Sequence, residues 1–243
     1  MFVTRIYQNT SLNVNSNVTL DENASHHLAR VLRASIGDEI ILFNGDGDEY
    51  PARIINITKK NVTIEILSKT ICQRESPIDI YLAQGIARGE KMDFIIQKAV
   101  ELGAVKIFPL VTERCNVRLT AEREEKRLRH WQSIVTSACE QSGRNVIPEL
   151  LPAQTLSDFI THVSADVKFV LTPHCDTAMT TTSLPSNAKI ILLIGPEGGL
   201  SSGEIQFAID HQYQALLLGP RVLRTETATI AALAVLQVRF GDF

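Results

Sequence analysis

The sequence predicts an α/β protein in two parts: a small β-rich barrel, then a larger domain built on a mostly parallel sheet. Three observations carry this. Residues 1–70 hold short β-prone runs divided by turn residues. From residue 78 onward, apolar strand-like runs alternate with helical segments. Several of those runs, above all Ile190-Ile191-Leu192-Leu193-Ile194, are apolar throughout, as strands buried on both faces are.

The β-prone runs of the first part are Phe2–Tyr7, Asn17–Leu20, Glu39–Phe43, Tyr50–Thr58 and Asn61–Ser68. Val62 to Ile66 alternates apolar and polar residues, the mark of a half-buried strand. Asn44-Gly45-Asp46-Gly47-Asp48 supplies a turn. One helix is predicted from Asn23 to Ala34, with Leu28, Val31 and Leu32 on one face. The polar stretch Thr70 to Pro77 marks a boundary, giving domains of residues 1–72 and 73–243.

In the second part, Ile78–Ala83 and Val105–Val111 read as strands around a helix over Lys91–Leu102. Glu122–Glu140 is a long charged helix, in which Glu122 with Lys126 and Glu125 with Arg129 form i,i+4 pairs on an exposed face. Val167–Leu171, Lys189–Ile194 and Ala215–Leu218 are short apolar strands. Ser201-Ser202-Gly203-Glu204 reads as a capping box opening a helix to Asp210. The last helix, Thr225–Phe240, is apolar almost all round over Ala228–Phe240, which predicts burial in the domain or against a partner subunit.

Composition narrows the function. With 243 residues, 44% hydrophobic and 21% charged, the chain has material for a packed core. No run approaches a membrane span, and the N-terminus lacks the apolar core of a signal peptide, so a cytoplasmic protein is expected. A net charge of -3 argues against non-specific coating of nucleic acid but leaves room for a local basic patch. Residues 151–243 hold 5 basic against 8 acidic side chains, so such a patch must come mainly from earlier in the chain. Cys72, Cys115, Cys139 and Cys175 lack zinc-ligand spacing, and no metal is expected.

Two segments concentrate chemistry. Ile194-Gly195-Pro196-Glu197-Gly198-Gly199-Leu200 ends an apolar strand, where open α/β sheets bind ligands. Its glycines allow close backbone approach and positive φ. It has neither the dinucleotide spacing nor the G-K-[ST] ending of a phosphate loop. Leu217-Leu218-Gly219-Pro220-Arg221-Val222-Leu223-Arg224-Thr225-Glu226 also links a strand to a helix and crowds two arginines and a glutamate together. The plainer reading of Glu226, a first-turn acid facing the helix dipole, stands beside a catalytic one.

These two segments, with Glu90 to Gly103 upstream and His26 to Asp38 near the N-terminus, make the chain resemble the SPOUT methyltransferases. Within them it is most similar to the ribosomal RNA small-subunit methyltransferase E family, which makes N3-methyluridine in 16S rRNA. The resemblance implies a PUA-like β-barrel followed by a SPOUT-type α/β knot, a deep trefoil knot. It also implies a homodimer acting on 16S rRNA in the small ribosomal subunit. It places S-adenosyl-L-methionine among three loops, carried here by Leu171, Thr172 and Pro173, by Ile194, Gly195, Pro196, Glu197, Gly198 and Gly199, and by Leu218, Gly219 and Leu223. Uridine N3 is protonated and weakly nucleophilic, so Arg221 or Arg224 is expected to stabilise its developing charge. Glu226 is expected to take the proton, with Glu197 as competitor. Arg30, Arg33, Arg88, Lys91 and Arg144 are the expected RNA contacts. A SPOUT enzyme with another base or RNA target is the near alternative. A non-catalytic RNA-binding assembly protein, which would need no donor pocket, is the remote one.

Overall fold

A computed structural model describes residues 3–115, 121–173, 175, 185 and 187–243. They fall into two compact units, Met1–Glu75 with Cys139–Ile147, and Ser76–Ala138 with Pro148–Phe243. The smaller unit runs to Glu75 and takes in the distant segment Cys139–Ile147. Polar pairings tie that segment in. Arg5 binds the Glu49 carboxylate, the Asn145 side chain and the Gly143 carbonyl (3.2 Å), while Arg144 pairs with Glu75. No linear cut of the sequence exposes such pairings.

The smaller unit contains β1 (Arg5–Tyr7), β2 (Asn17–Thr19), α1 (Glu22–His26), a π-helical turn (His27–Val31), β3 (Glu39–Phe43), β4 (Tyr50–Ile57) and β5 (Val62–Ile66). The sheet order is β1-β3-β4-β5-β2, with β1 parallel to β3 and the other ladders antiparallel. Val62, Ile64 and Ile66 enter the core with Ile6, Leu28, Leu42 and Ile54, as the alternation predicts. The single helix expected over Asn23–Ala34 is instead α1 followed by the π turn. Asp21 caps α1 by accepting from the Ala24 amide (2.9 Å). The π turn winds more residues per turn, so the face drifts. Leu28 is buried, but Val31 and Leu32 are exposed. Arg33 follows in the left-handed region at φ 53°, uncommon for a non-glycine residue.

The larger unit holds β6 (Asp79–Gly85), α2 (Glu90–Glu101), β7 (Ala104–Val111), α3 (Ala121–Ser142, as far as Ala138), β8 (Glu149–Leu150), β9 (Gln154–Thr155) and α4 (Leu156–His162). Then come β10 (Val167–Leu171), β11 (Lys189–Ile194), α5 (Ser202–Asp210), β12 (Gln214–Leu216) and α6 (Thr225–Phe240). The sheet order is β12-β10-β11-β6-β7-β8, with β9 also on β7, and every ladder is parallel. All carboxyl ends therefore lie along one edge, and the loops after β6, β7, β10, β11 and β12 open there. Central β11 buries Ile190 to Ile194 on both faces. The short elements β8, β9 and α4 are ones the apolar pattern did not signal.

α6 packs on α2 and reaches β11. Thr229, Ala232, Leu233, Leu236 and Gln237 are buried. Ile230, Ala231, Ala234 and Val235 are only half-buried, and Val238 is 65% exposed. One chain thus covers only one side of a helix expected to be buried all round. On α3, Arg129 pairs with Glu125 at 2.6 Å as expected, whereas the Glu122 side chain lies outside the described residues. Among the described residues, no helix is long and apolar enough to cross a membrane.

Candidate active site

The loops after β10, β11 and β12 enclose a cavity of about 650 Å³, within the range of small-molecule sites. Leu171, Thr172 and Pro173 form one wall, Ile194 through Leu200 a second, and Leu216 through Gly219 with Arg221 through Thr225 a third. Lys91, Arg114, Ile205 and Ala228 complete the lining. Every residue assigned above to the donor lies on this surface, as do Arg221 and Arg224.

A buried hydrogen-bond network fixes two of the walls. Gln84, at the end of β6, donates through Nε2 to Gly195 O (3.2 Å), Gly85 O (3.0 Å) and Thr225 Oγ1 (3.0 Å). Thr225 Oγ1 donates to Gly195 O (2.7 Å), and Thr229 Oγ1 donates to Gln84 Oε1 (2.7 Å). The start of the glycine loop is thereby tied to the first turn of α6. The other end of that loop is held by the capping box on α5. Glu204, 6% exposed, accepts from the amides of Ser201 (2.8 Å) and Glu113 (2.8 Å). Arg114 then donates through Nη1 to Gly198 O (3.0 Å) and Leu200 O (3.4 Å).

The glycines serve this packing. A Cβ on Gly195 would stand 2.7 Å from the Leu200 amide nitrogen, and one on Gly198 would stand 3.1 Å from Arg114 Cβ. At Gly198 it is the Arg114 side chain, as well as any ligand, that demands a glycine.

Charge is divided around the cavity. Glu197 accepts from the Arg88 amide (3.1 Å) and pairs with Lys91 Nζ (3.4 Å). Partial burial works to raise its carboxyl, but the backbone amides of Glu197 and Arg88 and the Lys91 ammonium outweigh that and hold it below the ordinary glutamate range. An ionised, partnered carboxylate is a poor general base, so Glu197 holds the loop. Arg221 and Arg224 are exposed at the mouth, with Val222 between them 83% exposed. Glu226 stands outside the cavity lining. Its Oε2 is buried, with no hydrogen-bond partner among the described residues. Arg221 and Arg224, its expected co-workers, do line the cavity.

The expected RNA contacts fall on both units. Arg88 and Lys91 border a second recess with Glu197 and Gly198. Arg30 and Arg33 are exposed on the smaller unit, at and just after the π turn, near exposed His26 and His27. Arg144, expected as an RNA contact, is 5% exposed and paired with Glu75 within the smaller unit. Its place after a charged helix gave no sign that a carboxylate distant in sequence would pair with it. Sequence reasoning missed Arg114 and Gln84. Both sit at carboxyl ends of parallel strands, and that rule could have flagged them.

Among the described residues, no group of His, Cys, Asp and Glu side chains could hold a metal ion. The lining is largely apolar, with backbone groups and a few cations at its rim, and fits S-adenosylmethionine in size and chemistry.

Comparison with known proteins agrees. Residues 74–237 match the model of an RNA methyltransferase domain, and residues 20–67 that of an RNA methyltransferase PUA domain. Ribosomal RNA small subunit methyltransferase E of Buchnera aphidicola subsp. Schizaphis graminum is 38% identical over 99% of this chain and 98% of its own length. The Bacillus subtilis relative of the same name is 32% identical over 87% and 86%. Among solved structures, ribosomal RNA small subunit methyltransferase E from Neisseria gonorrhoeae, bound to S-adenosyl methionine, is 39% identical, with a TM-score of 0.93 and full coverage of both chains. A chain from Legionella pneumophila with bound SAM is 41% identical, with a TM-score of 0.97 and full coverage of both chains. Similarity that spans both units establishes that the chain belongs to the RNA methyltransferase family, alongside the small-subunit ribosomal RNA methyltransferases E.

Proposed function

We propose that the protein is an S-adenosylmethionine-dependent methyltransferase that modifies N3 of one uridine in 16S rRNA of the small ribosomal subunit. The observation that carries this reading is one cavity in which three backbone-rich loops meet two exposed arginines at the mouth. When bound, S-adenosylmethionine supplies a methyl group already activated on sulfonium sulfur. The task left to the chain is to position the reactants and to stabilise charge. The Gln84–Thr225–Thr229 network and the Glu204 clasp hold the donor walls rigid before binding. Arg221 and Arg224 can donate to the oxygens flanking N3 and lower the cost of its anion as the proton leaves. Among the described lining residues Glu197 is the carboxylate, and it is committed to Arg88 and Lys91, so the chain's help to deprotonation is electrostatic.

The enzyme works in the cytoplasm as a homodimer whose seam includes the half-buried stripe of α6, and α2, which packs on α6, leaves Phe94 43% exposed. The threading of the last helix through a trefoil knot accords with α6 starting beside Gly195 and ending where Gln237 donates to Leu102 O (2.9 Å). Small-subunit RNA from a strain lacking the protein, analysed by nucleoside mass spectrometry, should lack N3-methyluridine and regain it on complementation. Persistence of that nucleoside in the deletion strain would overturn the assignment.

A further inference from the structure

Arg114 is the cation that the reaction as described leaves unused. It extends from the carboxyl end of β7 into the donor cavity, where the Gly198 and Leu200 carbonyls grip Nη1. Its Nε and Nη2 make no hydrogen bond or ion pair among the described residues. The other cations of the lining have different commitments. Lys91 is paired with Glu197, and Arg221 and Arg224 belong to the mouth. A guanidinium already fixed by two carbonyls loses little side-chain freedom when it takes an anion, and its fork suits a planar carboxylate.

Apolar walls such as Leu171, Ile194 and Leu218 suit the adenosyl part of the donor. The methionyl tail is zwitterionic, and its carboxylate suits the fork of the exposed Arg114 guanidinium at the rim. Resting on the donor proposed above, we infer that Arg114 anchors the α-carboxylate of the methionyl tail of S-adenosylmethionine. The anchor is built into the same loop that forms the donor wall, so the tail is measured against Gly198.

Calorimetry on the full chain tests this with two probes, S-adenosylhomocysteine, which keeps the tail, and 5′-methylthioadenosine, which lacks it. Arg114→Ala should weaken S-adenosylhomocysteine binding about 10- to 100-fold, the usual worth of a hydrogen-bonded charge pair. Methylthioadenosine binding should stay within about two-fold, which also shows that the variant is folded with its loop in place. Arg114→Lys should recover part of the loss. Equal losses for both probes would mean that Arg114 only braces the loop and would overturn the inference. Unchanged S-adenosylhomocysteine affinity with a raised KM for RNA would assign the guanidinium to an RNA phosphate and overturn it as well. Failure of the unmodified protein to bind either probe would instead remove the donor reading itself, and this appears in a separate arm.

Discussion

Arg224 and Glu197 face one cavity, and their surroundings give them opposite tasks. Arg224 is exposed at the mouth, so its guanidinium is available to charge that develops only during reaction. Arg224→Ala should lower kcat by about 100-fold while leaving S-adenosylmethionine affinity within about two-fold, the pattern of an interaction made in the transition state. Single-turnover kinetics with calorimetry separates the two quantities, and a parallel fall in donor affinity would contradict the role. Glu197 is spent on its neighbours. Its carboxyl lies below the ordinary range in the folded chain, so the unfolded chain binds more protons across that interval. Its stabilising contribution is complete above the unfolded value and is lost as pH falls through the depressed one. Urea unfolding followed between about pH 3 and 6 should show a shallower acid loss in Glu197→Gln, because the variant has no such group to titrate.

Among elements, the join between β6, the glycine loop and α6 is the one on which the cavity depends. Thr229 is fully buried and satisfies Gln84 Oε1, whose amide in turn holds Gly195 and Thr225. Thr229→Val keeps the volume and orphans a buried acceptor, which costs about 1–3 kcal/mol. Thr229→Ser restores the hydroxyl and should recover most of that stability in urea denaturation. A negligible change in the valine variant would show that the network does not hold the walls. Among the elements read from the sequence, β11 and α6 have the extents expected because each is a long apolar run with polar or glycine borders. The helix after Asn23 does not, because a π turn depends on how its residues seat on the barrel core. Nothing in an α-helical period reports that insertion.

At the scale of the whole molecule, the two sides of α6 predict opposite outcomes for the same chemical change. Leu233 is fully buried within one chain, so Leu233→Asp should unfold the larger unit, a buried unpaired charge costing several kcal/mol. Val238 is exposed within one chain. Val238→Asp should leave the fold intact and shift the protein toward monomer in sedimentation equilibrium at micromolar concentration. An unmodified protein that sediments as a stable monomer would exclude the dimer.

The strand and helix alternation, the parallel sheet and the glycine-bearing connections were legible in residue type, because burial on two faces and close backbone approach leave local signatures, and resemblance to a family marked those connections as donor loops. The sequence also placed the cavity, since parallel strands must open their carboxyl ends along one edge. Which charges are already partnered emerged from the folded chain. Arg144 and Glu197 look like Arg224 and Glu226 in the sequence. Arg144 pairs with Glu75 and Glu197 with Lys91 and the Arg88 amide, Glu226 is not among the cavity's lining residues, and Arg114 reaches the lining from the end of a different strand. A charged side chain's role is set by the partner that reaches it first, and that partner is fixed by folding across long stretches of chain.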